Sequence, residues 1–441
     1  MNVQQSPVLG PNVSRRAVLG GSLALGASGL LLPAYAQAAP AVLSPSAEKA
    51  WPKVAALMHK YADARTLPGI VATVGRGDDP FQTLAIGATT FGGRAAVSAD
   101  SLYRVYSMTK PVTGLLTAIL IDQGRLSLDT RLADICPEFA NMAVAIDPTK
   151  GLEARPAVTQ ITVRHLLTHT AGFGYAVIGQ EKVSAELLRR GLVAGAITRR
   201  KFKGLTPEVP VPAPDAFLQQ AAEVPLVAEP GTVWRYSMGV DVLGLALARK
   251  EGRPLEQLMQ EHIFGPAGMV STWFQMPAAE AKRLTTNYGF LKGFHAAIDK
   301  PRDSVFLDVP PFAAGGAGLV SSPRDFDRFQ RLLVSDGRID GKQVISAAAV
   351  RLATSNLLPP EVKTAGTTVA GAGFGAGGRV GLGVDEGSFG WSGAAGTIFI
   401  VQRRVALRGA LYAQFMPSSA FPLQREFLAA LRADVMPKAP L

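Results

Sequence analysis

Apolar positions along the chain change period several times, and each change marks an element. In WPKVAALMHKYADA, Val54, Leu57, Met58 and Tyr61 recur at i, i+3, i+4 and i+7, the single stripe of an amphipathic helix. The runs GIVATVG (69–75) and FQTLAIGAT (81–89) are short and apolar, and Gly77, Asp78, Asp79 and Pro80 separate them, which predicts two strands in a hairpin. From Pro111 to Gln123 the chain is apolar nearly all round, so a helix buried on every side is expected there, ended by Gly124. Residues 126–310 mix helical segments (TVRHLLTH, VDVLGLALARK, LEQLMQEHIF) with a proline-punctuated loop at 207–214. Near the C-terminus GTIFIVQ and VALRGALYAQF read as strands joined by a turn at Arg403 and Arg404, and Leu423, Phe427, Leu428 and Leu431 share one face of a closing helix.

The late strands need partners, and the early hairpin supplies them. The predicted fold is therefore α/β (α+β): one antiparallel sheet built from both chain ends and flanked by helices, with a mainly helical domain inserted. In residue terms, 39–106 and 311–441 form the α/β domain and 107–310 the helical one. No internal repeat is present, and the glycine-rich AGAGFGAGGRVGLG reads as a flexible connector before the last strands.

A length of 441 residues, 48% of them hydrophobic and 18% charged, fits a globular chain of two or three units. The formal charge is +11, or +9 once Arg15 and Arg16 are removed with the leader described below. Its densest cluster is Arg189, Arg190, Arg199, Arg200, Lys201 and Lys203, which reads as a solvated face. No nucleic-acid motif accompanies it and no aromatic interleaving supports base stacking. Cys136 is the only cysteine, so an intramolecular disulfide and a cysteine metal cluster are excluded. Helical spacing would put His165 and His169 on one face, but HLLTH lacks the glutamate of HExxH and a third ligand, so neither a metal nor another cofactor is expected.

The first forty residues contain SRRAVLGGSLALGASGLLLPAYAQAAP: paired arginines, an uncharged Gly/Ala-rich stretch, then small residues at Ala34, Ala36 and Ala38. That order is a twin-arginine export signal over residues 1–38. The apolar run is short and closed by Pro33, so no stable membrane anchor is expected after cleavage, and the mature protein is expected to be periplasmic or secreted.

Candidate chemistry centres on YRVYSMTK. A serine hydroxyl needs a base within hydrogen-bond reach, and Lys110 lies one helical turn after Ser107. A dry setting and the positive end of the helix dipole both favour a neutral amine able to accept a proton. The N–H of Ser107, in a first turn, is free for an oxyanion. Spacing alone is weak, since Ser46 and Lys49 repeat it in a polar stretch that reads as a helix start. The mature chain has no GxSxG, which sets aside a nucleophile elbow. Tyr236, in WRYSMGVDVLG, is a candidate proton carrier beside the lysine, the bland alternative being a core tyrosine. FGWSGAAGTIFI is a small-residue turn entering a strand, against which a substrate could lie.

Together LYRVYSMTKPVTG, ITVRHLLTHTAGF, YSMGVDVLG and GGAGLVSSPRDF, in that order, resemble the serine β-lactamase and penicillin-binding superfamily, class C-like branch, and within it the family VIII carboxylesterases. The resemblance spans about residues 47–435. It implies Ser107 as the acylated nucleophile, Lys110 as its partner base, Tyr236 as the third catalytic member, and the N–H groups of Ser107 and Ala394 as the oxyanion hole. Where lactamases of this class carry Tyr-x-Asn and Lys-Thr-Gly, this chain has Met238 at the Asn position and Trp391-Ser392-Gly393 for the triplet. These four are the expected substrate-contacting residues. Loss of the cation deprives a carboxylate-bearing substrate of a charge-assisted bond worth about 1.5–3 kcal/mol, so a small-molecule ester is the preferred substrate. The competing readings are amide chemistry on the same fold (a β-lactamase, D-aminopeptidase or amide-oligomer hydrolase) and a non-enzymatic protein holding a peptidoglycan fragment.

Overall fold

The computed structural model describes residues 44–435, except 180, 194, 203–205, 292 and 293. The expected export signal lies outside the described residues. In chain order, the elements that position the site begin with helix α1 (Pro52–Asp63), strands β1 (Gly69–Arg76), β2 (Gln82–Gly87) and β3 (Tyr103–Arg104), and helix α2 (Thr109–Asp122). After a long excursion come α3 (Gly239–Glu251), β4 (Thr272–Trp273), β5 (Asn287–Leu291), β6 (Phe294–Asp299) and β7 (Val320–Ser321). Two helices, α4 (Pro323–Val334) and α5 (Ala347–Thr354), lead to β8 (Gly373–Phe374), β9 (Arg379–Val380), β10 (Ser388–Ser392), β11 (Ile398–Gln402) and β12 (Leu407–Tyr412), and the last described elements are β13 (Phe415–Met416) and α6 (Leu423–Val435).

The main sheet runs β8-β9-β10-β11-β12-β1-β2, every neighbouring pair antiparallel. Val71 lies opposite Tyr412 and Ile398 opposite Leu411, so both chain ends meet at its centre as expected. Side chains alternate faces along a strand. Ile70, Ala72 and Val74 accordingly join Leu57, Met58, Phe427 and Leu431 beneath α1 and α6, while Val71 points to the opposite core with Phe326, Phe329 and Leu115. α2 lies within that second core: Val112, Leu115, Leu116 and Leu120 are fully buried, each worth about 1.5–3 kcal/mol of transfer free energy. Gly124, at φ +70°, follows its end.

Three expectations change. The glycine-rich stretch is no flexible connector, because it contains β8 and β9 at the sheet edge and packs against α2. Its glycines allow that approach: a Cβ at Gly377 would lie 2.5 Å from Lys110 O, and one at Gly114 of α2 would lie 2.0 Å from Ala376 O. Segment 107–310 is helical only in part, since β4 pairs with β7 and β5 with β13, both from later in the chain. His165 and His169 do not share a helical face. Helix Val163–Leu167 ends before His169, whose φ is +56°, while His165 completes a capping box with Thr162.

Cys136 is fully buried, and burial pushes its thiol up to about 12. Much of the basic cluster is neutralised locally: Arg189 and Arg190 pair with Glu186, Arg190 also with Glu223, and Arg199 with Asp303 and Asp308. Lys203 lies outside the described residues.

Candidate active site

The strand that delivers Ser107 is fixed by a buried charge. Arg104 pairs with Asp299 and donates to Thr285 O at 2.7 Å and Gln414 Oε1 at 3.0 Å. Two residues on, Tyr106 adopts φ +42°, a left-handed conformation rare for an aromatic residue. Asn287 Nδ2 donates to its hydroxyl at 3.3 Å and Phe306 packs edge-on to its ring, so the surroundings over-determine this strain. The reversal leaves Ser107 in a short 3-10 turn at the mouth of α2, 9% exposed.

Lys110 has no exposed surface. An ammonium so buried costs several kcal/mol unless it is met by partners. Its Nζ donates to Gly316 O at 2.7 Å and, more loosely, to Ser107 Oγ at 3.4 Å, and lies 4.7 Å from the Tyr236 ring centre and 5.8 Å from that of Tyr175. Ring quadrupoles contribute up to about 2 kcal/mol when the cation is desolvated. Tyr236 Oη donates to Ser107 Oγ at 2.7 Å, which closes the group.

Aromatic neighbours hold Tyr236 in place. Its ring sits 4.7 Å from His169, 5.6 Å from Tyr175, 5.7 Å from Trp391 and 6.3 Å from Trp234. His169 is not a competing base. Burial first, and the Lys110 charge second, push it well below the usual imidazole range, and its Nδ1 accepts the Ser237 N–H at 3.3 Å.

The turn after β10 sits against the segment that leads into Ser107. Gly393 N–H donates to Thr397 O at 2.7 Å, and a Cβ on Gly393 would come within 2.5 Å of Val105 O. Gln424, from α6, donates through Nε2 to Gly393 O at 2.9 Å and Thr397 O at 2.7 Å, tying the turn from behind. Among the described residues, the N–H groups of Ser107 and Ala394 have no acceptor in the protein. Unpaired donors of this kind are what a developing oxyanion requires.

The structure thus brings Ser107, Lys110 and Tyr236 together and sets the Gly393–Ala394 turn beside Val105. Trp391 is half-buried against Tyr236 and Phe374, and Ser392 closes β10 next to it. Met238 departs from expectation. It caps α3 and is 1% exposed, its side chain joining the interior cluster, so it backs the site without offering a face to substrate. Ser46 and Lys49 are exposed on a short helix, Pro45–Ala50, that precedes α1, as their helix-start reading required. Asp241, Gly316, Tyr175 and Gln424 were not singled out from sequence. A lone carboxylate in the apolar run VDVLGLAL was the available signal for Asp241, and tyrosine or glutamine carries no comparable mark. Among the described residues no group of His, Cys, Asp and Glu is arranged to hold a metal ion.

A sheet flanked by helices, with a buried lysine and a tyrosine each within hydrogen-bond reach of one serine, defines a serine hydrolase of the β-lactamase fold. The chain belongs to the Beta-lactamase family, whose model matches residues 54–433. It is 32% identical over 363 residues to protein Rv1367c of Mycobacterium tuberculosis, covering 78% of this chain and 84% of that one. It is 29% identical to esterase EstB of Burkholderia gladioli over 59% of this chain and 64% of the esterase. Among solved structures it resembles EstCE1, a hydrolase with promiscuous acyltransferase activity, with a TM-score of 0.69 and 21% identity over 88% of this chain and 100% of that one.

Proposed function

We propose that this protein is an exported carboxylesterase that cleaves small-molecule esters of short or medium acyl chain through an acyl-serine intermediate. One observation carries the reading: Ser107 Oγ lies 2.7 Å from Tyr236 Oη and 3.4 Å from the amine of a wholly buried Lys110. Ser107 Oγ attacks the ester carbonyl carbon and its proton passes to the Tyr236–Lys110 pair. The carbonyl oxygen, now an anion, is received by the N–H groups of Ser107 and Ala394. Tyr236 protonates the departing alkoxide, and water, activated in the reverse sense, then releases the acid and frees Ser107.

The choice of ester over lactam rests on the triplet Trp391-Ser392-Gly393, which offers no cation to a substrate carboxylate. Kinship with esterase EstB supports the same choice. The test is labelling with a fluorophosphonate followed by peptide mass analysis: the adduct is expected on Ser107, and an adduct elsewhere, or none, overturns the reading. Export rests on residues 1–38. Changing Arg15 and Arg16 to lysine is expected to retain the protein in the cytoplasmic fraction, and unchanged fractionation would refute it.

A further inference from the structure

The catalytic group leaves two features unexplained: the glycines of GGAG (315–318) and the carboxylate of Asp241 inside the apolar α3. They meet beside Lys110. Asp241 is fully buried, and its Oδ1 accepts the Gly316 N–H at 2.7 Å. The carbonyl of the same glycine accepts Lys110 Nζ at 2.7 Å. One residue's backbone therefore spans the carboxylate and the amine. The fit requires glycine, since a Cβ at Gly316 would lie 2.5–2.8 Å from Oδ2, Oδ1 and Cγ of Asp241. Gly315 beside it accepts the Thr113 hydroxyl at 2.6 Å, and a Cβ there would come within 3.0 Å of Val240 O. The turn is thus wedged between α2, which carries Lys110 and Thr113, and α3, which carries Asp241.

Asp241 Oδ2 accepts no hydrogen bond among the described residues. An unmatched carboxylate oxygen in a dry interior is costly, which makes a purely structural role a poor reason for its presence. Burial pushes the carboxyl up from its usual range, while the Lys110 charge and the Gly316 N–H pull it back. The titratable groups that face it are Lys110 from α2 and Tyr175 from the segment after His169, with Tyr236 next to both.

We propose that Asp241 is a positioning residue for Lys110: it anchors Gly316, whose carbonyl aims the amine at Ser107. The proposal rests on the reading of Lys110 as the base. Asp241→Asn keeps the shape and an acceptor for the Gly316 N–H but removes the charge. With p-nitrophenyl butyrate, kcat is expected to fall about tenfold or more while KM stays within about twofold. A carboxylate that merely held the fold together would be expected to disturb KM as well when lost. Wild-type kcat in Asp241→Asn overturns the proposal.

Should D241N fail to fold by circular dichroism, Thr113→Val decides. It removes the hydroxyl that ties Gly315 to α2, and a fall in kcat of about threefold or more at constant KM is expected, whereas unchanged kcat overturns the proposal. Fluorophosphonate labelling separates the two levels. Wild-type protein unlabelled at Ser107 defeats the esterase reading and this one with it, while equal labelling rates in wild type and D241N defeat this one alone.

Discussion

Tyr236 Oη approaches Ser107 Oγ more closely than Lys110 Nζ does, 2.7 Å against 3.4 Å. The phenol is therefore the nearer hydrogen-bond partner of Ser107, while the amine is anchored more tightly on Gly316 O than on the serine. Tyr236→Phe is expected to lower kcat/KM for p-nitrophenyl butyrate by about 100- to 10,000-fold with the fold retained. Lys110→Ala should fall in the same range. Because the two act as one unit, the double variant should be little worse than either single one. Multiplying losses would mean that they act separately.

Substrate class is tested by turnover of nitrocefin against a p-nitrophenyl ester. A missing charge-assisted bond of about 1.5–3 kcal/mol corresponds to roughly ten- to 150-fold, so kcat/KM for the ester should exceed that for nitrocefin by at least about tenfold. Equal values would return the amide-cleaving readings to the front.

Gln424 ties Gly393 O and Thr397 O together, and with them the turn that presents the Ala394 N–H. Outright loss of an oxyanion donor costs about 100- to 1,000-fold in kcat, so a loosened donor should cost about tenfold. Gln424→Ala is expected to show that loss with KM little changed. Gln424→Glu, which turns a carboxylate onto two carbonyl oxygens, should do worse. Wild-type kcat in both variants would show that the turn holds itself.

The Arg104–Asp299 pair is closed to solvent, with side-chain exposures of 0% and 1%. Asp299→Ala leaves a buried guanidinium without its counter-ion and is expected to lower the free energy of unfolding by about 3–5 kcal/mol. Urea unfolding followed by tryptophan fluorescence measures it, and a shift below about 1 kcal/mol would mean that the neighbouring carbonyls suffice.

The Cys136 thiol stands at about 12 in the folded protein against an ordinary 9.0. The native state therefore disfavours the thiolate. As pH rises past about 9 the unfolded chain ionises while the folded one does not, so this group's contribution to stability is intact below that point and is lost progressively towards pH 12. Ellman's reagent should leave the native thiol unmodified at pH 8 and react at once in guanidinium chloride. Rapid native labelling would contradict the burial.

Much of this was legible from residue order. The stripe Val54, Leu57, Met58, Tyr61 and the alternation Ile70, Ala72, Val74 face the core that their periods implied, because burial on one side leaves a fixed period in the sequence. That Ser107 and Lys110 come together was legible because an SxxK pair entering a helix sets the two side chains one turn apart on the same face. The glycine-rich edge was misread since composition does not distinguish glycine used for freedom from glycine used for close approach, which is its purpose at Gly377. His169 escaped because a residue in the left-handed region stops a helix that spacing alone would continue. Met238 was placed by its position after Tyr236, but position does not say which way a side chain turns. Asp241 and Gly316 are far apart in sequence, and only the packing of α2 on α3 reveals that they share Lys110.

The pairing of Val71 with Tyr412 also bears on biosynthesis. A nascent chain emerging from the ribosome presents the β1–β2 hairpin early, yet the strand that covers its open flank, Leu407–Tyr412, is made long afterwards. Until then that flank is a template for the wrong neighbour. Synthesis must therefore pass β12 before the central ladder can close, and chains stopped short of that strand should accumulate as insoluble or proteolysed material, without residual turnover.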